Sequence, residues 1–180
     1  MQSRTVVLAA VLAASVGTGS WLCAAARAQD AHEIPQSIQV QHADDIFALT
    51  QLAQRPAPVG PAAKAALDLL KHHHQRENDY ILPPLTLLDA LAAGKVTPDM
   101  RWAVSMADKV KATKELIFIE HTQITDAMNA LLSAAELAND KEAVDFARSA
   151  VADSMGDMEL QEPMTVLIGE YLKLKLPPAP

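Results

Sequence analysis

The chemistry of this chain is concentrated in His42, His73, Glu77, His121, Asp153 and Asp157. His73 and Glu77 are four residues apart, as are Asp153 and Asp157, so each pair shares one face of a helix. The surrounding apolar residues recur at three and four positions, the pattern of a helix stripe that faces a core. The stripes read Ile38, His42, Ile46, Leu49, Ala53, then Ala66, Leu70, His73, Glu77, Tyr80. The third is Val110, Ile117, His121, Ile124, Met128, Leu131, and the fourth Phe146, Ala150, Asp153, Asp157, Leu160. No lysine or arginine on these stripes pairs with the carboxylates, and a buried ionised carboxylate left alone costs several kcal/mol. A divalent metal would neutralise them, and imidazole with carboxylate suits iron, manganese or zinc.

Any one of these residues alone reads as an ordinary core or surface position; their repetition argues for a site. His42 and His121 are 79 residues apart, while His73 and Asp153, Glu77 and Asp157, and Pro83 and Pro163 are each 80 apart. Each half of the chain therefore offers a histidine on one helix and an acid-bearing pair followed by proline on the next. Such a duplication predicts two metals held about a two-fold axis.

The elements that must position these residues are helices. The first is predicted from Pro35 to about Gln54, ended by the run Arg55-Pro56-Ala57-Pro58-Val59-Gly60. The second runs from Pro61 through Tyr80, kinks at Pro83-Pro84 and ends by Gly94. Thr97-Pro98-Asp99 predicts an N-cap with proline at the first helical position, opening a long helix to Leu137. Asn139-Asp140 caps a fourth helix, interrupted at Pro163 and fading at Pro177. The expected fold is all-α, an up-down-up-down four-helix bundle with an internal helix-pair repeat. Aromatics at 4% weigh against a sheet, and 50% hydrophobic residues suffice for a packed core.

Residues 1–28 read as a cleaved secretory leader: a basic start at Arg4, an apolar stretch from Thr5 to Ala14, and Ala26-Arg27-Ala28 as the cleavage signal. Cys23 falls inside it, preceded by Leu22 rather than the small residue a lipoprotein site requires. The mature chain, residues 29–180, would lack cysteine and hence any disulfide or thiolate ligand. It would have no membrane span and would reside in the periplasm. With 22 acidic against 15 basic residues, no basic stripe exists to neutralise nucleic-acid phosphates.

His42, the segment HHHQRENDYILPPL around His73 and Glu77, and EHTQI around His121 together resemble the hemerythrin-like HHE cation-binding domain. The tail ELQEPMTVLIGEYLKLKL resembles the end of that domain's last helix, and the likeness runs from Ile34 to Leu176. It implies a bundle around a non-heme di-iron site that meets dioxygen or another small oxidant. His42, His73, Glu77 and His121 match ligand positions, Glu77 as a bridging carboxylate. Where the family's fourth helix supplies a second His-x3-Glu, this chain has Asp153-x3-Asp157. Ile117 also fills the place where oxygen carriers put a further histidine. A mononuclear iron or manganese site at His42, His73, Glu77 and His121 is the alternative.

Other polar residues have plainer readings. His72 and His74 point away from the ligand face, as solvated or ligand-orienting residues, and His32 is exposed in the tail. Met155, Met158 and Met164 pack on different faces. Glu159 and Glu162 are solvated, with Glu162 a reserve ligand because it follows Asp157 by five. Lys109, Lys111 and Lys114 form a solvated face. A di-metal oxidase or ferroxidase is the competing function, against which the chain lacks the Glu-x-x-His spacing of ferritin-type enzymes. A purely structural bundle is the third.

Overall fold

A computed structural model describes residues 32–178, apart from the side chains of Met155 and Asp157. The expected leader lies outside the described residues. Among those described, every regular element is helical, and no helix is long and apolar enough to cross a membrane.

The elements are α1 (Gln36–Leu52), α2 (Val59–Arg76), α3 (Leu88–Ala92), α4 (Trp102–Ala138), α5 (Lys141–Gly156) and α6 (Glu162–Lys175). The backbone of α4, 37 residues long, extends for about 55 Å. It packs against α2, α5 and α6, while α1 lies against α2.

Turn chemistry explains most of the boundaries. Gly94 takes a left-handed φ of 71° after α3, a conformation that glycine adopts without a steric penalty. Asn139 takes the left-handed cap position that ends α4. The Asp140 carboxylate then accepts a hydrogen bond from the Ala143 N–H at 3.2 Å, capping α5. Proline follows Thr97 at the start of the helical path as predicted, but the expected Thr97 side-chain cap does not form, and the chain enters α4 through a 3-10 turn at Pro98–Arg101.

Both prolines interrupting the helical path do so in the same way. π-turns at Glu77–Ile81 and Asp157–Gln161 precede Pro83 and Pro163. Proline lacks the N–H that would continue the ladder, and its ring crowds the carbonyl four residues back. The wider i to i−5 turn relieves that crowding. At the first of them, the Leu82 N–H donates to the Glu77 carbonyl at 2.9 Å. The Thr165 hydroxyl on α6 donates to the Ile81 carbonyl at 2.5 Å, satisfying a buried acceptor next to the proline break.

Apolar side chains form a large cluster at one end, including Leu49, Leu52, Ala63, Leu67, Met128, Leu131 and Ala147. Smaller clusters lie beyond it, around Leu82, Met100, Ile168 and Leu172 and around Tyr80, Val110 and Ile117. Every residue of the predicted second and third stripes is buried. The fourth stripe is shifted: α5 buries Ala143, Ala147 and Ser154, whereas Asp153 and Leu160 are exposed. Small alanines let α5 approach closely, so they, rather than Phe146, mark its inner face.

Candidate metal centre

The polar layer lies between the apolar clusters. On α2 it follows Leu70, and on α4 it falls between Ile117 and Ile124, so the ridges that fill the core also carry the ligands inward. His73, His74, Glu77 and His121 are all buried, with Glu77 only 2% and His121 1% exposed.

Glu77 is the meeting point of the first half. His42 Nε2 on α1 stands 3.3 Å from its Oε2, and His73 Nε2 stands 3.2 Å from its Oε1. Neither contact is an aligned hydrogen bond. Glu77 Oε2, His73 Nε2, His42 Nδ1 and His74 Nδ1 are all buried without a hydrogen-bond partner among the described residues. A nitrogen of His42, one of His74 and a carboxylate oxygen of Glu77 lie within 4.8 Å of one another. Buried polar atoms are rarely left unsatisfied, and this group has the donor chemistry of a divalent transition-metal site.

The second half is built on His121. Its Nε2 faces Glu162 Oε1 at 3.0 Å and its Nδ1 faces the Ser154 hydroxyl at 3.2 Å. The His73 and His121 rings meet edge to face at 4.4 Å, joining the halves. Behind His73, Glu120 Oε2 stands 3.5 Å from Nδ1, and Arg76 Nε donates to both Glu120 oxygens at 3.0 and 2.8 Å. Arg76 also reaches the Tyr80 hydroxyl at 3.4 Å, which meets Thr113 at 3.0 Å. A carboxylate behind a ligating imidazole fixes its tautomer and orientation.

Burial sets the protonation of two of these imidazoles. Burial holds the His42 imidazole below its usual pKa. Burial and the neighbouring His42 lower His74 to about 3. Both rings are thus neutral, with lone pairs free. Burial pushes the Glu77 carboxyl up, but the facing His73 imidazole outweighs this and holds it below its usual pKa. Burial also pulls His73 down, yet Glu77 and Glu120 raise it.

The structure therefore brings His42, His73, Glu77 and His121 together. Asp153 is exposed, with the Ser149 hydroxyl donating to its Oδ2 at 3.4 Å, and it borders a cavity beside His42 rather than Glu77. The Asp157 side chain lies outside the described residues. His72 is exposed as expected, but His74 is not turned away: it is buried and stacked on His42, ring centroids 3.6 Å apart. Two parallel rings at that spacing do not aim their in-plane lone pairs at one point, so His74 braces His42 as it stands. Nor is His32 a free tail residue, since it stacks on Trp102 at 3.7 Å.

Glu162 reaches His121 directly after the π-turn at Asp157–Gln161, where the wider turn changes which face the following residues present. The proline at 163 was the available signal. Glu120, Ser154 and Asp45 were missed as site residues; Asp45 stands three after His42, on the same face of α1. Comparison with protein-family models, curated proteins and solved structures finds no match to the chain.

Proposed function

We propose that the chain is an exported, hemerythrin-like four-helix bundle, built by duplication of a helix pair, that binds non-heme iron and meets dioxygen or another small oxidant there. The observation that carries this reading is the set of partnerless buried atoms on His42, His73, His74 and Glu77, together with the His121–Glu162 contact beside them. His42, His73 and Glu77 would hold one ion, and His121 and Glu162 a second, with Asp157 as the positional counterpart of Glu77. Asp153 would act from the rim. Mixed imidazole and carboxylate donors favour iron or manganese. Iron, when bound, supplies the electrons and the open coordination position that a small oxidant needs.

The chain's own residues set the conditions. Glu120, held by Arg76, orients His73, and Ser154 orients His121. The apolar clusters on either side limit water. The adjoining cavity, about 30 Å³, has room for a water-sized species or two, which favours a small oxidant over an organic substrate.

Metal analysis of the purified chain tests the reading, with absorption spectra taken before and after anaerobic reduction and re-exposure to air. About two irons per chain and bands that return in air are expected, with chelation lowering the melting temperature through lost binding energy. A colourless chain that retains no iron and melts identically with or without chelator would overturn it. Sustained consumption of oxygen would move the assignment to an oxidase.

A further inference from the structure

Helix α6 carries two apolar stripes, and the fold uses one of them. Thr165, Ile168, Gly169 and Leu172 are buried. Met164, Leu167, Tyr171 and Leu174 form the second stripe, at steps of three, four and three residues. Leu167 is 62% and Leu174 84% exposed, while Met164 and Tyr171 are half-buried. Leu88 and Leu91 on α3 widen this stripe along one edge, and with Met164, Leu167, Ile168 and Tyr171 they line an open groove. Exposed apolar residues scattered singly are ordinary, but a continuous row beside an apolar groove marks a surface that another molecule covers.

Spacing and charge identify the occupant. A stripe of two residues in every seven is the seam of a coiled coil, narrower than the face a helix turns to a globular core. With Met164 and Tyr171 at a positions and Leu167 and Leu174 at d, the flanking g and e positions hold Glu170 and Lys175. In a parallel pair the g position of one helix faces the next e position of the other, which sets opposite charges together twice about a two-fold axis. Lys175 has no carboxylate partner among the described residues, and its ammonium lies 5.7 Å from the centre of the Tyr171 ring. Glu170 is exposed and accepts hydrogen bonds from Lys111 and Lys173. A formal charge of −7 makes an anionic bilayer a poor match for the same face. We infer that the outer face of α6 is the interface of a parallel homodimer, in which Met164, Leu167, Tyr171 and Leu174 interdigitate with the same residues of a second copy and Glu170 pairs with that copy's Lys175. Dimerisation through α6 requires no metal.

Sedimentation of the purified chain over a concentration series tests this, with circular dichroism to check that each variant keeps its fold. Wild type is expected to sediment as a dimer that dissociates on dilution. Leu167→Glu combined with Leu174→Glu should weaken association by roughly tenfold or more, because charges would be buried in the seam. Both positions are exposed in the single chain, so the monomer tolerates the change. Phe118→Glu, at an equally exposed apolar position on α4, should leave association unaltered. Lys175→Glu should weaken the dimer, and adding Glu170→Lys should restore it. Leu174→Cys, made together with Cys23→Ser to remove the chain's one cysteine, should yield a disulfide-linked dimer on oxidation, since like d positions meet in a parallel seam. A wild-type chain that stays monomeric at every concentration overturns the interface, whether or not it binds anionic vesicles. A dimer indifferent to the double glutamate change overturns it equally. A charge swap that fails to restore association, or a Leu174→Cys chain that forms no linked dimer, overturns the parallel pairing.

Discussion

His121 Nε2 on α4 stands 3.0 Å from Glu162 Oε1 on α6, across 41 residues of sequence. Glu162 directly follows the second π-turn, and its carboxylate is the acid the fold delivers to His121. If the proposed centre holds metal, Glu162→Gln should weaken that binding by roughly tenfold. Glu159→Gln, on an exposed position nearby, should leave it unchanged. Metal content after dialysis against a graded chelator distinguishes them, and equal retention would remove Glu162 from the centre.

Arg76 and Glu120 form the support for His73. Glu120→Gln keeps the shape but weakens the acceptor facing His73 Nδ1, so metal affinity should fall by roughly 10- to 100-fold. Arg76→Ala frees the carboxylate and should also cost about 1–3 kcal/mol of stability. Urea unfolding of the metal-free chain measures the second effect apart from the first. An Arg76→Ala chain with unchanged metal affinity would show that Glu120 orients His73 unaided.

Asp45 should give the metal-free chain a specific pH dependence. Its carboxyl titrates near 3.8 unfolded and about 6 folded. The folded state thus holds the proton more tightly, a stabilisation complete below about pH 4 and lost as pH rises toward 6. The loss lies below about 3 kcal/mol, and is reduced further because the group is half-exposed. Asp45→Asn should gain stability relative to wild type between pH 4 and pH 7. A wild-type-to-variant difference independent of pH in thermal melts would refute the assignment.

Gly169 lets α6 approach α4 closely: an added Cβ there would lie 2.2 Å from Ala107 Cβ. Helix propensity favours alanine at such a position, but overlap with a packed side chain forces the helices apart. Gly169→Ala should destabilise by about 1–3 kcal/mol. Chemical denaturation reads the sign directly, and a stabilised variant would mean the two helices are free to separate.

Much of this was legible beforehand. Periodicity identified α1, α2 and α4, and every residue of the second and third stripes is buried because long amphipathic helices leave little choice of face. Gly94, Asn139 and Asp140 stop or start helices through local backbone chemistry. The fourth stripe was misread because α5 packs through Ala143 and Ala147: alanine is the weakest hydrophobic signal, although it allows the closest packing. Leu160, by contrast, is exposed.

The linear sequence by itself determined most of the helices, the two proline breaks, and the inward faces that carry His73, Glu77 and His121, since each follows from 3.6-residue periodicity and short-range sterics. Tertiary structure decided what those residues meet. Only packing could bury His74 against His42, set Glu120 behind His73, and turn Asp153 toward Asp45. Only the widened turn before Pro163 could bring Glu162 to His121. Those relationships depend on how helices distant in sequence are phased against one another, and a single π-turn rotates every side chain beyond it to a different neighbour.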